Sequence, residues 1–173
     1  MAAEVQHLPG WAGCLCIDCL ADVHRIGSVE SISSVTTKCG SSQSSGCVEG
    51  LASEGRFADP GAVVVDTAGN ILICDRSNHR IRVISPAGVV STLAGTGTTG
   101  GGSEALFHSA GGIASDTGNR PDEPGVIYVC DTANHAIRRV KDGQSTTLAG
   151  GSGEGFRDAA AGDQALFRSP TGI

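Results

Sequence analysis

Aromatic residues are scarce in this chain: 4 Phe, 1 Tyr and 1 Trp, or 3% of 173 residues. Long runs of Ala, Leu, Glu and Lys are missing as well, which removes the usual material of amphipathic helices. The longest apolar run near the N-terminus, residues 11–20, is broken by Asp18, and no basic segment precedes it. It is too short to span a bilayer and does not have the layout of a signal peptide. Positive charge is also in deficit. With 12 Lys and Arg against 18 Asp and Glu, the net charge is -6. There is no electrostatic excess with which to hold a phosphate backbone, although the arginines are locally clustered, and this argues against a nucleic-acid partner. No Asn-x-Ser/Thr acceptor occurs, which favours an intracellular, cytoplasmic address.

Glycine, by contrast, is abundant. At 26 of 173 residues it is about twice the usual share of roughly 7%. Such a chain is expected to make short strands joined by Gly-rich turns. The 7 cysteines are an odd number in a chain with no export signal, so a disulfide framework is not expected and the thiols are read as mostly reduced.

Self-comparison exposes a repeat. Residues 71–84, ILICDRSNHRIRVI, recur at 126–140 as VIYVCDTANHAIRRV, with Cys-Asp, Asn-His and Ile-Arg at the same offsets. Each copy runs into a second shared block, STLAG at 91–95 and TTLAG at 146–150, then into a glycine-rich loop and a Phe. Those phenylalanines are Phe57, Phe107 and Phe167, and each opens a new unit. Reading backward, SVTTKCG at 34–40 aligns with the STLAG block. Residues 14–26 can be laid on the Asp-x-x-Asn-His block only as a degenerate unit, with Asp18 and Arg25 in register.

A period near 50 residues with room for four short strands is the signature of β-propeller blades. In the clearest unit, strand a is expected at 63–66, strand b at 71–74, strand c at 79–84 and strand d at 89–93, with a Gly-Asn turn and a Pro-Gly turn between them. The second unit carries six extra residues around 118–125, which lengthen its a–b hairpin as a surface loop. The expected organisation is an N-terminal segment over 1–33 with the degenerate unit, a last strand plus loop over 34–57, blades at 58–95 and 96–150, and a loop plus first strand over 151–173.

The repeated polar residues suit architecture better than chemistry. Asp75 and Asp131 end strand b, where a carboxylate can accept N–H groups of the following turn, and Asn78 and Asn134 suit a near-left-handed turn position. His79 and His135 could in principle bind metal or move protons, but their equivalence in neighbouring units is explained by repeat building alone. Arg82 and Arg138 are expected to reach along the blade to a carboxylate or carbonyls. Cys39, Cys74 and Cys130 fall at buried repeat positions as small apolar residues. Cys14, Cys16 and Cys19 could contribute to a zinc site only if further ligands lay elsewhere, and no second pair is visible. The glycine-rich loops lack Gly-Lys-Ser/Thr and lead into strands, so no phosphate cradle is expected.

These motifs resemble the NHL repeat family, named for the Asn-His-Leu triplet that here stands as Asn78-His79-Arg80 and Asn134-His135-Ala136. The resemblance is good over 34–173 and poor over 14–33. It implies an all-β fold, a partial β-propeller of four-stranded antiparallel blades whose parent ring usually has six. Two good blades cannot close such a ring, so the chain is expected to be part of a longer one. The resemblance further implies a non-catalytic platform for a protein partner, with no cofactor, acting through the d–a loops (96–106, 151–166) and the b–c loops (76–78, 132–134). RNA binding is the mode of some relatives. Six-bladed lyases and hydrolases offer the enzymatic alternative, with a metal in the central channel, and His108 and Asp59 are the residues nearest to that role.

Overall fold

The computed structural model describes residues 36–100, 106–116 and 125–173, and the regular structure among them is β-strand and short 3-10 turn. The first sheet contains β1 (Gly50–Leu51), β2 (Pro60–Val65), β3 (Ile71–Asp75), β4 (Arg80–Ile84) and β5 (Val89–Ala94). Strands β2 to β5 form an antiparallel meander, and β1 adds itself to the outer edge of β5. The second sheet is the same meander again: β6 (Gly112–Ser115), β7 (Ile127–Asp131), β8 (Ala136–Lys141) and β9 (Gln144–Gly150). Strands a to d of the two blades are therefore β2 to β5 and β6 to β9.

The hairpins follow from their turn residues. Asp66 closes the β2–β3 turn by accepting the N–H groups of Ala68 and Asn70 on Oδ1 at 2.9 and 2.8 Å. This local carboxylate-to-backbone bonding is what favours Asp in turns. Between β8 and β9, Asp142 and Gly143 both have positive φ, 51° and 76°, as a two-residue Asp-Gly hairpin requires. The Leu-Ala-Gly block also acquires a geometry. Ile81 faces Ala94 and Arg82 faces Thr92, so Leu93 is the extra residue of a bulge; Leu148 is its counterpart between Ala149 and Thr147.

The glycine that follows is required. Gly95 has φ 99°, and a Cβ there would lie 2.5 Å from the His79 carbonyl oxygen and 2.9 Å from Arg80 Cα. Gly150 repeats the arrangement at φ 75°, against the His135 carbonyl.

The main core lies between the two sheets. Leu72, Cys74, Ile81 and Ala94 of the first blade pack against Phe107, Ala110, Ile113 and Val129 of the second. Strand alternation turns Ile73, Ile84 and Val90 to the opposite face, where they meet Cys39 and Phe57. Each blade face is thus buried only against a neighbouring unit.

Several sequence expectations shift. Strand a of the first blade begins at Pro60, with a register irregularity before Val63. Residues 36–40 form no strand, and 168–173 carry no assigned strand, although Ser169 and Gly172 make the junction contacts described below. The degenerate unit at 14–26, with Cys14, Cys16 and Cys19, lies outside the described residues, as does most of the 118–125 insertion.

Candidate functional site

Asp75 and Asp131 are fully buried at the ends of β3 and β7. Their backbone donor is not in the following turn, as the sequence suggested, but at the start of their own blade. Ala58 N–H donates to Asp75 Oδ1 at 2.8 Å, and His108 N–H donates to Asp131 Oδ1 at 2.8 Å. The turn contributes a side chain instead: Asn78 Nδ2 and Asn134 Nδ2 each donate to the other carboxylate oxygen at 2.8 Å. Burial raises both carboxyls above the ordinary range, while these hydrogen bonds and the facing arginines hold the rise back.

The same asparagines reach to the loop that precedes their own blade, 41–56 for the first and 96–106 for the second. Asn78 Nδ2 donates to the Gly46 carbonyl at 2.7 Å, and Asn134 Nδ2 donates to the Gly100 carbonyl. Both asparagines belong to 3-10 turns, Arg76–Asn78 and Thr132–Asn134. The left-handed residue is the histidine after each, with φ 52° at His79 and 54° at His135. The strain expected at Asn therefore falls one position later, where the chain must turn sharply into strand c.

The histidines couple successive units. His79 Nδ1 accepts from Ser109 N–H at 3.3 Å, and His135 Nδ1 accepts from Ser169 N–H at 3.1 Å. Two further contacts accompany each bond. At the first junction Ala62 N–H donates to Gly111 O at 3.3 Å and the Cys74 thiol approaches Gly112 O at 3.7 Å. At the second, Thr132 Oγ1 donates to Pro170 O at 2.8 Å and the Cys130 thiol approaches Gly172 O at 3.3 Å. Burial raises the thiol of Cys130 and pushes that of Cys74 up to about 12, so both act as packed, unreactive groups.

Arg82 and Arg138 occupy the same place in their blades. Arg82 is buried, pairs with Asp75 Oδ2 at 3.0 Å, donates to Val48 O at 2.9 Å and stacks 5.5 Å from the Phe57 ring centre. Arg138 donates from Nε to Ser145 Oγ at 3.0 Å and from Nη1 to Thr147 Oγ1 at 2.7 Å. In the first blade Val90 stands where Ser145 does, and the buried Arg82 Nε has no hydrogen-bond partner among the described residues.

The two residues singled out for channel chemistry are engaged locally. Asp59 lies 3.6 Å from Arg76 Nε in an exposed ion pair, and the His108 ring meets that of His79 edge-on, with centres 5.6 Å apart. No group of three His, Cys, Asp or Glu side chains converges as a metal site among the described residues.

What surrounds the block is a surface built from its loops. A hollow of about 450 Å³ opens between the loop at 41–56, which precedes the first blade, and the b–c turn, lined by Ser42, Gln43, Ser44, Phe57, Asp59 and Ser77. Another, of about 740 Å³, is shaped by the 151–166 loop with Phe156, Arg157, Leu166 and Arg168. Sequence reasoning placed these loops but missed the backbone that the block holds, Gly46 and Val48 before the first blade and Ser109 and Ser169 at the start of the following units. The one available signal was the Phe-x-Ser spacing at 107–109 and 167–169.

Comparison with known proteins agrees with this geometry. The family model described as NHL repeat matches residues 57–84. NHL repeat-containing protein 2 from Gallus gallus is 38% identical over 86 residues, 47% of this chain and 11% of the relative. The protein of the same name from Homo sapiens is 32% identical over 100 residues, 54% of this chain and 13% of the relative. The chain thus spans only a small part of the length of these relatives. Among solved structures, an auxiliary nutrient binding protein from Bacteroides ovatus is similar with a TM-score of 0.55 at 22% identity, over 64% of this chain and 31% of that one. A structural genomics protein of unknown function from Bacteroides thetaiotaomicron gives a TM-score of 0.56 at 21% identity, over 83% of this chain and 34% of that one. At such identity the likeness concerns the fold alone. Residues 57–84 thus carry an NHL repeat, and the two four-stranded antiparallel sheets fit blades of a β-propeller.

Proposed function

We propose that this segment acts as a platform for a protein partner, through the surface formed by its d–a loops and b–c turns. The observation that carries the reading is the anchoring of those loops. Asn78 to Gly46 O and Arg82 to Val48 O hold the loop at 41–56 that precedes the first blade, and Asn134 holds Gly100 O at the described edge of the 96–106 loop. A surface ordered before binding loses less conformational freedom when a partner docks.

The chemistry of the surface suits a polar polypeptide. Ser42, Gln43, Ser44 and Ser77 offer donors and acceptors around Phe57, while Arg76, Arg168 and Glu154 supply exposed charges of both signs. The mixture has no single-sign field of the kind a nucleic acid needs. The innermost strands are apolar for most of their length, Pro60–Val65 and Gly112–Ser115, which leaves the enzymatic alternative without a set of reacting groups among the described residues.

The test is cross-linking of the full-length protein with its bound partner, mapped by mass spectrometry. Cross-links concentrated at 41–45, 76–78, 96–100 and 151–168 support the platform. Cross-links concentrated on the opposite hairpins, at 66–70 and 85–88, overturn it.

A further inference from the structure

The bond from Ser109 N–H to His79 Nδ1 requires an imidazole that is unprotonated at that nitrogen, because a protonated ring has two donors and no acceptor. The donor has no alternative in a strand ladder, since Ser109 precedes β6 and is itself left-handed, with φ 53°. We propose that the junction between the two blades is an acid-sensitive hinge, held at neutral pH by His79 and released when its ring takes up a proton.

The surroundings of the ring oppose that proton. His108, from the segment leading into β6, meets it edge-on at 5.6 Å, and Arg80 follows it on β4. Asp131, at the end of β7, is the acid that favours the charge, but its oxygens are already taken by His108 N–H and Asn134. Burial first, then His108 and Arg80, lower the His79 pKa from 6.5, against Asp131. The sign follows from linkage. A histidine depressed in the folded state contributes stability that is present above its unfolded pKa and lost as pH falls through the folded value. The junction therefore holds near neutrality and loosens in the acidic range below 6.5.

When the ring charges, Nδ1 becomes a donor facing the Ser109 N–H, so the contact turns from attraction to repulsion. The Cys74 to Gly112 and Ala62 to Gly111 contacts remain, and both are long at 3.7 and 3.3 Å. What is released is the hold of the first blade on Ser109; His108 stays tied within its own blade, to Asp131 Oδ1 through its N–H and to Ala133 N–H through its carbonyl.

The experiment is nuclear magnetic resonance on the full chain, following the His79 ring and amide exchange at Ser109 between about pH 7.5 and about pH 5.5, corrected for intrinsic exchange. Ser109 protection is expected to fall about tenfold or more as the ring titrates. Ala133 N–H, which donates to the His108 carbonyl and faces no imidazole acceptor, serves as the internal reference and should keep its protection. His79→Gln offers a non-titrating acceptor and should make Ser109 protection independent of pH. Should that variant fail to fold, His108→Gln removes the facing imidazole and should move the midpoint of Ser109 release upward. Overturning results are a His79 ring that titrates with no change at Ser109, the same acid release in His79→Gln, or a midpoint in His108→Gln that stays or moves down.

Discussion

His79 Nδ1 accepts the Ser109 backbone N–H at 3.3 Å, and this bond joins the b–c turn of one blade to the first residues of the next. Its counterpart, His135 with Ser169 at 3.1 Å, repeats it one unit later. The most conspicuous residues of the repeat are thereby engaged in three connections: to the start of their own blade through Asp, to the preceding loop through Asn, and to the following blade through His.

The buried ion pair gives the first prediction. Asp75→Ala leaves the guanidinium of Arg82 in a site with no solvent access, and removing one partner of such a pair costs about 3–5 kcal/mol. Urea unfolding monitored by circular dichroism should show that loss. The double variant Asp75→Leu with Arg82→Met should lose less than the sum of the two single changes, because neither charge is then left alone.

Comparison of the two blades gives the second. Arg138 Nε has Ser145 as acceptor, whereas Val90 takes the position of Ser145 in the first blade and Arg82 Nε is unsatisfied among the described residues. Val90→Thr keeps the branched shape and adds the missing oxygen. A hydrogen bond to a charged group is worth about 1.5–3 kcal/mol, enough to offset the penalty of a buried hydroxyl. Thermal denaturation should therefore place Val90→Thr at or above the wild-type Tm, and a clear drop would refute this account of the Arg82 site.

The Leu-Ala-Gly block gives the third. Gly95→Ala must place a Cβ 2.5 Å from the His79 carbonyl at a φ of 99°, so backbone strain and a clash act together. Gly125→Ala meets only the strain among the described residues, none of which lies within 4 Å of its Cβ at φ 76°. Measured unfolding free energies should show about 1 kcal/mol lost at Gly125 and clearly more at Gly95.

Much of the fold was legible in the sequence. Period, hairpin turns and alternation placed the strands of the first blade to within a few residues, because its turns depend on local chemistry: Asp66 accepts the N–H groups of its own turn and Gly88 has the positive φ, 76°, of the Pro-Gly turn. The site was harder to read. The donor to Asp75 lies 17 residues upstream and the partner of His79 lies 30 residues downstream, so no local pattern reports either. The left-handed position was assigned to Asn78 by propensity, yet tertiary bonding puts it at His79. Strand d at 34–40 was expected from similarity to STLAG, but no strand is assigned over 36–40. A ladder depends on its partner strand and not on its own sequence alone.

Thiol accessibility gives the fourth prediction. Cys39, Cys74 and Cys130 are buried and their pKa values are raised by that burial, while Cys47 is exposed. Among these four described cysteines, alkylation of the native chain followed by peptide mapping should label Cys47 first and reach Cys39, Cys74 and Cys130 only on unfolding. Early labelling of Cys74 or Cys130 would show that the inter-blade core is open.

The central claim is that side chains of the Asp-x-x-Asn-His block hold backbone lying outside the strands, and native-state hydrogen exchange measures this directly. Ala58 and His108 precede their strands, yet their N–H groups are bound by Asp75 and Asp131 at 2.8 Å. The account predicts that these two amides exchange as slowly as those of β3 and β7, whereas exchange at the rate of an unprotected loop would contradict it.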